Sequence, residues 1–456
     1  MEQTHIRDFT SGNITKQLVV FAWPLFLSNL LQIVYNMVDM VVVGHALGKV
    51  GLSAVAVGGD VCNFLTFLSF GFCGAGQVLV AQLVGAKQQD RIARFVGTMA
   101  GFLVVCVAML STLSLLFQPQ ILRLMNTPPE SYDGAVAYST VCMVGLIFIY
   151  GYNAVSAILR GMGDSKHPFV FIAIAAILNL ILDLILVLGF HMGPAGAALA
   201  TVISQAVSFL CCVWFLARHK AAFKLQIRPR DFIRWDHAML MDLLKLGTPM
   251  AIKSASVQTS KLFVNSWINS YGIAVSAFAG IANKVSSISN LISNSMNTAG
   301  STMVGQNIAA REFGRVRKIL RQLAVITISI ALLMSAAFCI FPDQIFGIFT
   351  GDTTVLALVP GYLPIAVLLF LSSALRAVMN ALINGSGHSR INFVTAILDG
   401  IVMRVGLAVL FGLVLDMKHY GFWLGDALAG FTPFWIGIAF YFSGKWKEKP
   451  ARAKHT

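Results

Sequence analysis

Two carboxylates, Asp39 and Asp183, fall within hydrophobic stretches long enough to cross a lipid bilayer. A charged side chain at the bilayer centre costs about 2.5–3.5 kcal/mol on insertion scales, and a chain that keeps one there uses it to carry an ion, bind a solute or form a buried pair. Each acid has polar neighbours at helical spacing. Asn29, Gln32, Asn36 and Asp39 are three, four and three residues apart, and Asn179 precedes Asp183 by four, so each set shares one helix face. Asn153, Ser156 and Thr201 supply further amide and hydroxyl groups. Two carboxylates among neutral oxygens suit a proton, or a sodium ion held through hard oxygen ligands with Asp39 and Asp183 as its metal site. The alternative is that each acid is a static hydrogen-bonding group locking helices together. The first half offers no Lys or Arg at mid-membrane depth to pair with either acid. Arg160 and Lys166 lie at helix ends, where long side chains reach the interface.

The elements that position these groups are legible in composition. Of 456 residues, 57% are hydrophobic and only 11% charged, against about 25% charged in a soluble domain. Apolar stretches recur twelve times, near 14–44, 51–80, 92–118, 133–159, 166–190, 193–217, 242–270, 275–304, 319–341, 354–384, 390–414 and 420–443. Numbered spans 1 to 12 in that order, each is long enough to cross a membrane. The net charge of +14 is a matter of topology rather than nucleic-acid binding. Lys and Arg crowd the tails and the connections 2–3, 4–5, 6–7 and 8–9, while the opposite connections hold only Lys49, Arg123 and Lys418. The excess of basic residues on one side places both termini in the cytoplasm. All seven cysteines lie inside predicted spans, so neither a disulfide framework nor a zinc spacing is present. The polar leader and long first span argue for a retained helix rather than a cleaved signal.

An internal repeat organises the chain. A shift of 224 residues lays AQLVGAKQQDR (81–91) over GQNIAAREFGR (305–315) and LRGMGDS (159–165) over INGSGHS (383–389). With one residue more, Pro24 meets Pro249 and Thr201 meets Asp426. Each half holds six spans, and an even number makes the repeats parallel. The expected fold is an all-α integral membrane protein of twelve transmembrane helices in two six-helix bundles, related by a pseudo-twofold along the membrane normal. The domains are then an N-terminal lobe (1–217), a basic cytoplasmic linker (218–241), a C-terminal lobe (242–444) and a basic tail (445–456). Pro24 and Pro249, early in spans 1 and 7, each remove one backbone hydrogen bond and permit a bend.

The second half carries a different chemistry. Span 7 places Ser254, Gln258, Lys261 and Asn265 on one face beside Lys253; span 8 aligns Asn283, Ser287, Asn290, Asn294, Asn297 and Ser301 near Lys284; span 10 adds Ser373, Arg376, Asn380 and Asn384. Such stripes face water or one another, because unsatisfied polar groups are expensive in hydrocarbon. Asp399 and Arg404 on span 11 and Asp426 on span 12 complete the embedded charges. Two readings stay open. Lys253, Lys261, Lys284 and Arg376 attract an anionic part of a substrate, or some of them pair with Asp399 and Asp426.

Other function classes lack their signals. GxxxxGK[ST], HExxH, GxSxG and TVGYG are all missing, which removes the usual marks of an ATPase, an intramembrane hydrolase and a potassium channel.

Taken in order, PLFLSNLLQIVYNMVDMVVVG (24–44), the two segments after spans 2 and 8, the LRGMGDS turn and NLILDLILV (179–187) resemble the multidrug and toxic compound extrusion (MATE) transporters over nearly the whole length. The resemblance implies a V-shaped pair of bundles that alternate between outward-open and inward-open states while substrate leaves in exchange for protons or sodium ions. In the archaeal-like and DNA-damage-inducible-like branch, a first-lobe cation site uses two Asp, an Asn and a Thr. Asp39, Asp183, Asn179 and Thr201 stand at those positions here, with Asn153 at a further polar one. Another branch uses acids on spans 7 and 10, where this chain reads Val257-Gln258 and about Ser373. The coupling site therefore belongs in the first lobe, and the basic second lobe departs from a family that exports mostly cationic drugs.

The expectation is secondary active efflux of small organic compounds by proton- or sodium-coupled antiport, with no cofactor beyond the coupling ion and no enzymatic activity. Asp39 and Asp183 bind the ion; Asn179, Thr201 and Asn153 shape its site. Gln32, Asn36, Lys253, Gln258, Lys261, Asn290, Asn294, Arg376 and Asn380 line the substrate cavity. Partners are a small-molecule substrate and membrane lipid, without nucleic acid, around a monomer in a bacterial inner membrane. The alternative is a flippase for a lipid-linked or anionic precursor.

Overall fold

Spans 1 and 2 run as one helix, Ile14–Gly85, broken only at Gly48, whose φ of 62° and ψ of −162° are non-helical. Its 72 residues would reach about 110 Å at 1.5 Å per residue, far beyond a hydrocarbon core of about 30 Å. The break therefore divides it into two crossings, and only glycine adopts such angles without a Cβ clash. The computed structural model describes residues 6–220, 222–223, 229–232 and 235–448. Parts of the expected linker and the tail beyond 448 lie outside the described residues.

The described residues are helical, with no strand among them. Asp90–Leu116, Pro129–Gly161, Gly193–Arg218, Phe313–Ile340 and Val359–Ser386 form spans 3, 4, 6, 9 and 10. Span 5 is Lys166–Asp183 continued by a π-turn, Leu184–Gly189. Span 11 runs from Ser389 to Val414 through two π-turns, Leu398–Val402 and Leu410–Val414, and span 12 joins Lys418–Ala429 to Thr432–Ser443. Nine helices among the described residues are apolar and long enough to cross a membrane, Ile14–Gly85 counting as one. Spans 7 (His237–Asn269) and 8 (Ile273–Ala309) are outside that nine because of their polar stripes, although they are 33 and 37 residues long. With the break at Gly48, the count reaches twelve.

The repeat extends to backbone detail. Lys87 and Arg311, 224 residues apart, both have left-handed φ, at 57° and 62°. Gln88 N donates to Leu83 O at 2.9 Å, and Glu312 N donates to Asn307 O at 2.8 Å in the matching turn. A Cβ on Gly161 would meet Gln77 O at 2.6 Å; on Gly385 it would meet Ser301 O at 2.8 Å. Helices that approach this closely need the smallest residue at the crossing. The shift changes from 224 to 225 along span 11, where the π-turn Leu398–Val402 has no counterpart in span 5. A π-turn absorbs one extra residue without ending the helix.

The chain divides into two compact units, Met1–Asp8 with Trp23–Gly247, and Phe9–Ala22 with Thr248–Thr456. In the second, Phe9 is buried: its N–H donates to Gln306 Oε1 at 2.9 Å, and its carbonyl accepts from Asn307 Nδ2 at 3.1 Å and Arg315 Nε at 2.8 Å. In the first, Asp236 N donates to Thr98 Oγ1 at 3.1 Å. Pro24 and Pro249 each lie within two residues of the point where their helix passes from one unit to the other. The first unit has a core around Val43, Val55, Tyr138, Val187 and Ala197. The second is aromatic, with Phe278, Tyr362 and Trp423 in mutual edge-on contact at 5.2–5.3 Å.

Candidate functional site

In the first unit, span 5 presents Asn179 and Asp183 on one buried face, at 3% and 0% exposure. Span 6 packs against it and brings Thr201, whose Oγ1 donates to Ala197 O at 3.1 Å and accepts a long bond from Asn179 Nδ2 at 3.4 Å. Asp39, on span 1, turns its carboxyl to within hydrogen-bonding reach of Asp183. Two carboxylates cannot bond each other without a proton between them. Both oxygens of Asp183 and Oδ1 of Asp39 are buried with no donor from the protein. At about 4 Å and an effective dielectric of about 20, two like charges repel by about 4 kcal/mol. A proton or a monovalent cation would remove that repulsion.

Beside the acids lies a narrow recess with room for about one water molecule, lined by Asn179 and Thr201 together with Tyr35, Ser204, Gln205 and an apolar wall of Ile172, Ala175 and Ala176. Ligand pockets for drug-sized molecules run to about 300–1,000 Å³, so this recess suits a single small ion stripped of most of its water and not an organic solute. Tyr35 lines the same recess as Gln205 and lies near both acids. Gln205 Oε1 is buried without a donor. Sequence reasoning missed Tyr35 and Gln205, though the signal was there: each stands four residues from a chosen residue, Asp39 and Thr201 respectively. Asn153 Nδ2 donates a long bond to Ser69 Oγ at 3.4 Å. Gln32 is half-buried and Asn36 exposed.

The second unit gathers charge of the other sign. Arg404, 1% exposed, donates Nη2 to Asp399 Oδ1 at 3.1 Å and Nη1 to Asp426 Oδ1. Asp399 sits in the extra π-turn of span 11, which places its carboxylate beside Arg404. Both embedded acids are thereby taken up by Arg404, which decides one question the sequence left open. Lys253 Nζ instead donates to Asn380 Oδ1 at 2.7 Å, and Arg376 Nη2 to Asn290 Oδ1 at 2.5 Å. Lys261 lies within electrostatic range of Asp426, Arg404, Arg376 and Asp399. Gln258, Asn294 and Lys284 are exposed and join neither cluster. No group of three or more His, Cys, Asp or Glu able to hold a metal occurs among the described residues.

A twice-repeated helical membrane scaffold with an intramembrane acid pair in one half defines a transporter. Known proteins place it more narrowly. The MatE family model matches the chain twice, over residues 24–185 and 249–410, and the chain belongs to that family of multidrug efflux transporters. It is 30% identical over 448 residues to the probable multidrug resistance protein YpnP of Bacillus subtilis, covering 96% of this chain and 97% of that one. It is 22% identical to the multidrug export protein MepA of Staphylococcus aureus, with 91% of each covered. Among solved structures, a MATE in the bent conformation superposes with a TM-score of 0.87 at 22% identity, over 96% of both chains. A transporter of the MOP superfamily from Pyrococcus furiosus, described as having a binding pocket of reverse polarity, gives the same score at 21% identity over 98% of this chain and 100% of its own. These structures share the fold.

Proposed function

We propose that the chain exports small organic compounds by alternating access, driven by inward movement of protons or sodium ions through the Asp39–Asp183 site. The observation that carries this reading is the buried Asp183 beside the half-buried Asp39, with three buried carboxylate oxygens that no protein donor satisfies. Asn179 and Thr201 border the same recess, and Tyr35 and Gln205 add two more oxygens to it. With sodium, the acids and these neutral oxygens would form the hard ligand set; with protons, the acids alone suffice. No other cofactor is needed. The names of YpnP and MepA support a multidrug substrate range.

Ion occupancy of the first lobe would oppose substrate binding, and linkage requires substrate to weaken ion binding by the same factor. Basic tails and even-numbered connections support cytoplasmic termini in a bacterial inner membrane, and each lobe's self-contained chemistry supports action as a monomer surrounded by lipid.

The test is reconstitution of wild type, Asp39→Asn and Asp183→Asn in liposomes, with substrate movement followed under a pH gradient or a sodium gradient separately. Loss of gradient-driven movement in both variants is expected, and the effective gradient names the ion. Full activity in both rejects the proposal.

A further inference from the structure

The second lobe holds more positive charge than it neutralises. Arg404 faces Asp399 and Asp426, a triad with one negative charge in excess. Lys253, Lys261 and Arg376 stand near it with three positive charges and no carboxylate of their own. The two that are held are held by neutral groups, the amide oxygens of Asn380 and Asn290, which fix a cation's position and add no counter-charge. Lys261 makes neither a hydrogen bond nor an ion pair among the described residues. The balance is two uncompensated positive charges inside a membrane-embedded lobe, where each is expensive unless a partner arrives.

We propose that Lys253, Lys261 and Arg376 recognise the acidic group of an organic anion, a phosphate or carboxylate carrying up to two negative charges. The inference rests on the transport reading above and names the substrate class of that transporter. Its geometry suits the task. Asn290 occupies Nη2 of Arg376, and the remaining N–H groups of the guanidinium are a planar fork matched to two oxygens of one acidic group. Lys253 and Lys261 lie eight residues, about two turns, apart on span 7 and supply two further point charges near Arg376. Asn380 holds Lys253 from span 10, the helix that also bears Arg376, so Lys253 and Arg376 are positioned before any substrate binds.

The acidic group could belong to a soluble compound or to a lipid headgroup, and one experiment separates these. Purified protein in detergent micelles is titrated at neutral pH with fluorescein, largely a dianion there, with the cationic dye rhodamine 6G on the same ring system, and with a polyprenyl phosphate. Fluorescein is expected to bind more tightly than rhodamine 6G, with the dissociation constant raised at least about tenfold by Lys261→Gln and by Arg376→Gln. Lys261→Arg, which keeps the charge, is expected to retain binding and guards against loss of the fold. Binding of the polyprenyl phosphate alone, with the same dependence on Lys261 and Arg376, assigns the group to a lipid and sustains the proposal. Tighter binding of rhodamine 6G, binding of neither anion, or anion binding equal in wild type and both Gln variants overturns it. Micelles carry no gradient, so this result stands or falls apart from coupling at Asp39 and Asp183.

Discussion

The same two positions of the repeat hold different chemistry in the two lobes. Asn179 and Thr201, 22 residues apart, form a neutral hydrogen bond; 225 residues later, Arg404 and Asp426, also 22 apart, form a buried ion pair. Asp183 corresponds to Ala408, and Asp39 to the apolar pair Phe263-Val264. Gene duplication in this chain has kept turns, glycine contacts and helix crossings in register while exchanging the side chains that face the interior. The scaffold tolerates this because a neutral pair and an ion pair of similar size both satisfy the local hydrogen-bonding demand. They differ in what they leave unsatisfied. The first lobe ends with carboxylate oxygens lacking donors, the second with cations lacking counter-charges.

The largest test of that contrast is removal of the first-lobe acid. Asp183→Asn should reduce gradient-driven transport to the level of empty liposomes, whereas Ala408→Ser, at the matching place in the second lobe, should leave coupling unchanged. Equal losses would mean that the position matters for packing in both lobes and for ions in neither.

Stability should respond in the opposite sense. Arg404→Leu strands the buried Asp399 and the part-buried Asp426, and removal of one partner from a buried ionic cluster costs up to about 3–5 kcal/mol. Asn179→Ala breaks one neutral hydrogen bond, with an expected loss of about 1 kcal/mol. Chemical unfolding in detergent measures both. Combining Arg404→Leu with Asp399→Asn and Asp426→Asn should restore part of the loss, because no carboxylate is then stranded, while Lys253, Lys261 and Arg376 lose the triad's net negative charge. Failure to recover would assign the role of Arg404 to shape rather than charge.

A smaller effect should follow at the edge of the first-lobe recess. Tyr35→Phe and Gln205→Leu each delete one polar group near the acids, and coupling-ion affinity should fall by about threefold to tenfold, the range of a single net hydrogen bond. Isothermal titration with sodium, or the pH dependence of transport if protons are the coupling ion, reads this. No change in either variant confines the site to Asp39, Asp183, Asn179 and Thr201.

Much of this was legible in the sequence because membranes make polar residues conspicuous. Asp39 and Asp183 stand out against hydrocarbon, and the repeat is written in glycines and charges at helix ends, such as Gly161 with Gly385 and Arg91 with Arg315. What escaped were partners drawn together across helices. Asn153 shares a polar stripe yet bonds Ser69, because which neighbour a side chain meets depends on helix rotation rather than spacing. Gln205 lies one turn beyond Thr201 on span 6, and a lone glutamine in an apolar span carries no charge to mark it. The allegiance of Asp399 was hidden by the π-turn, which shifts register by one residue and turns its carboxylate to Arg404. Likewise the N-terminal segment reads as a polar leader, yet Phe9 is buried against the end of span 8.

The smallest predicted effect checks the register on which all of these comparisons depend. Lys87 and Arg311 close equivalent turns in the left-handed region, at φ of 57° and 62°. An L-residue there carries about 1–2 kcal/mol of strain, partly offset on substitution because glycine loses more backbone entropy on folding. Lys87→Gly and Arg311→Gly should therefore each stabilise the protein by up to about 1 kcal/mol, and by the same amount within error. Equal small gains would mean that the backbone of the two lobes is held alike while their chemistry differs. A gain at one turn and a loss at the other would show that one of these side chains contributes a lobe-specific interaction, and the pairing of Asp183 with Ala408, like that of Asn179 with Arg404, would need a different alignment.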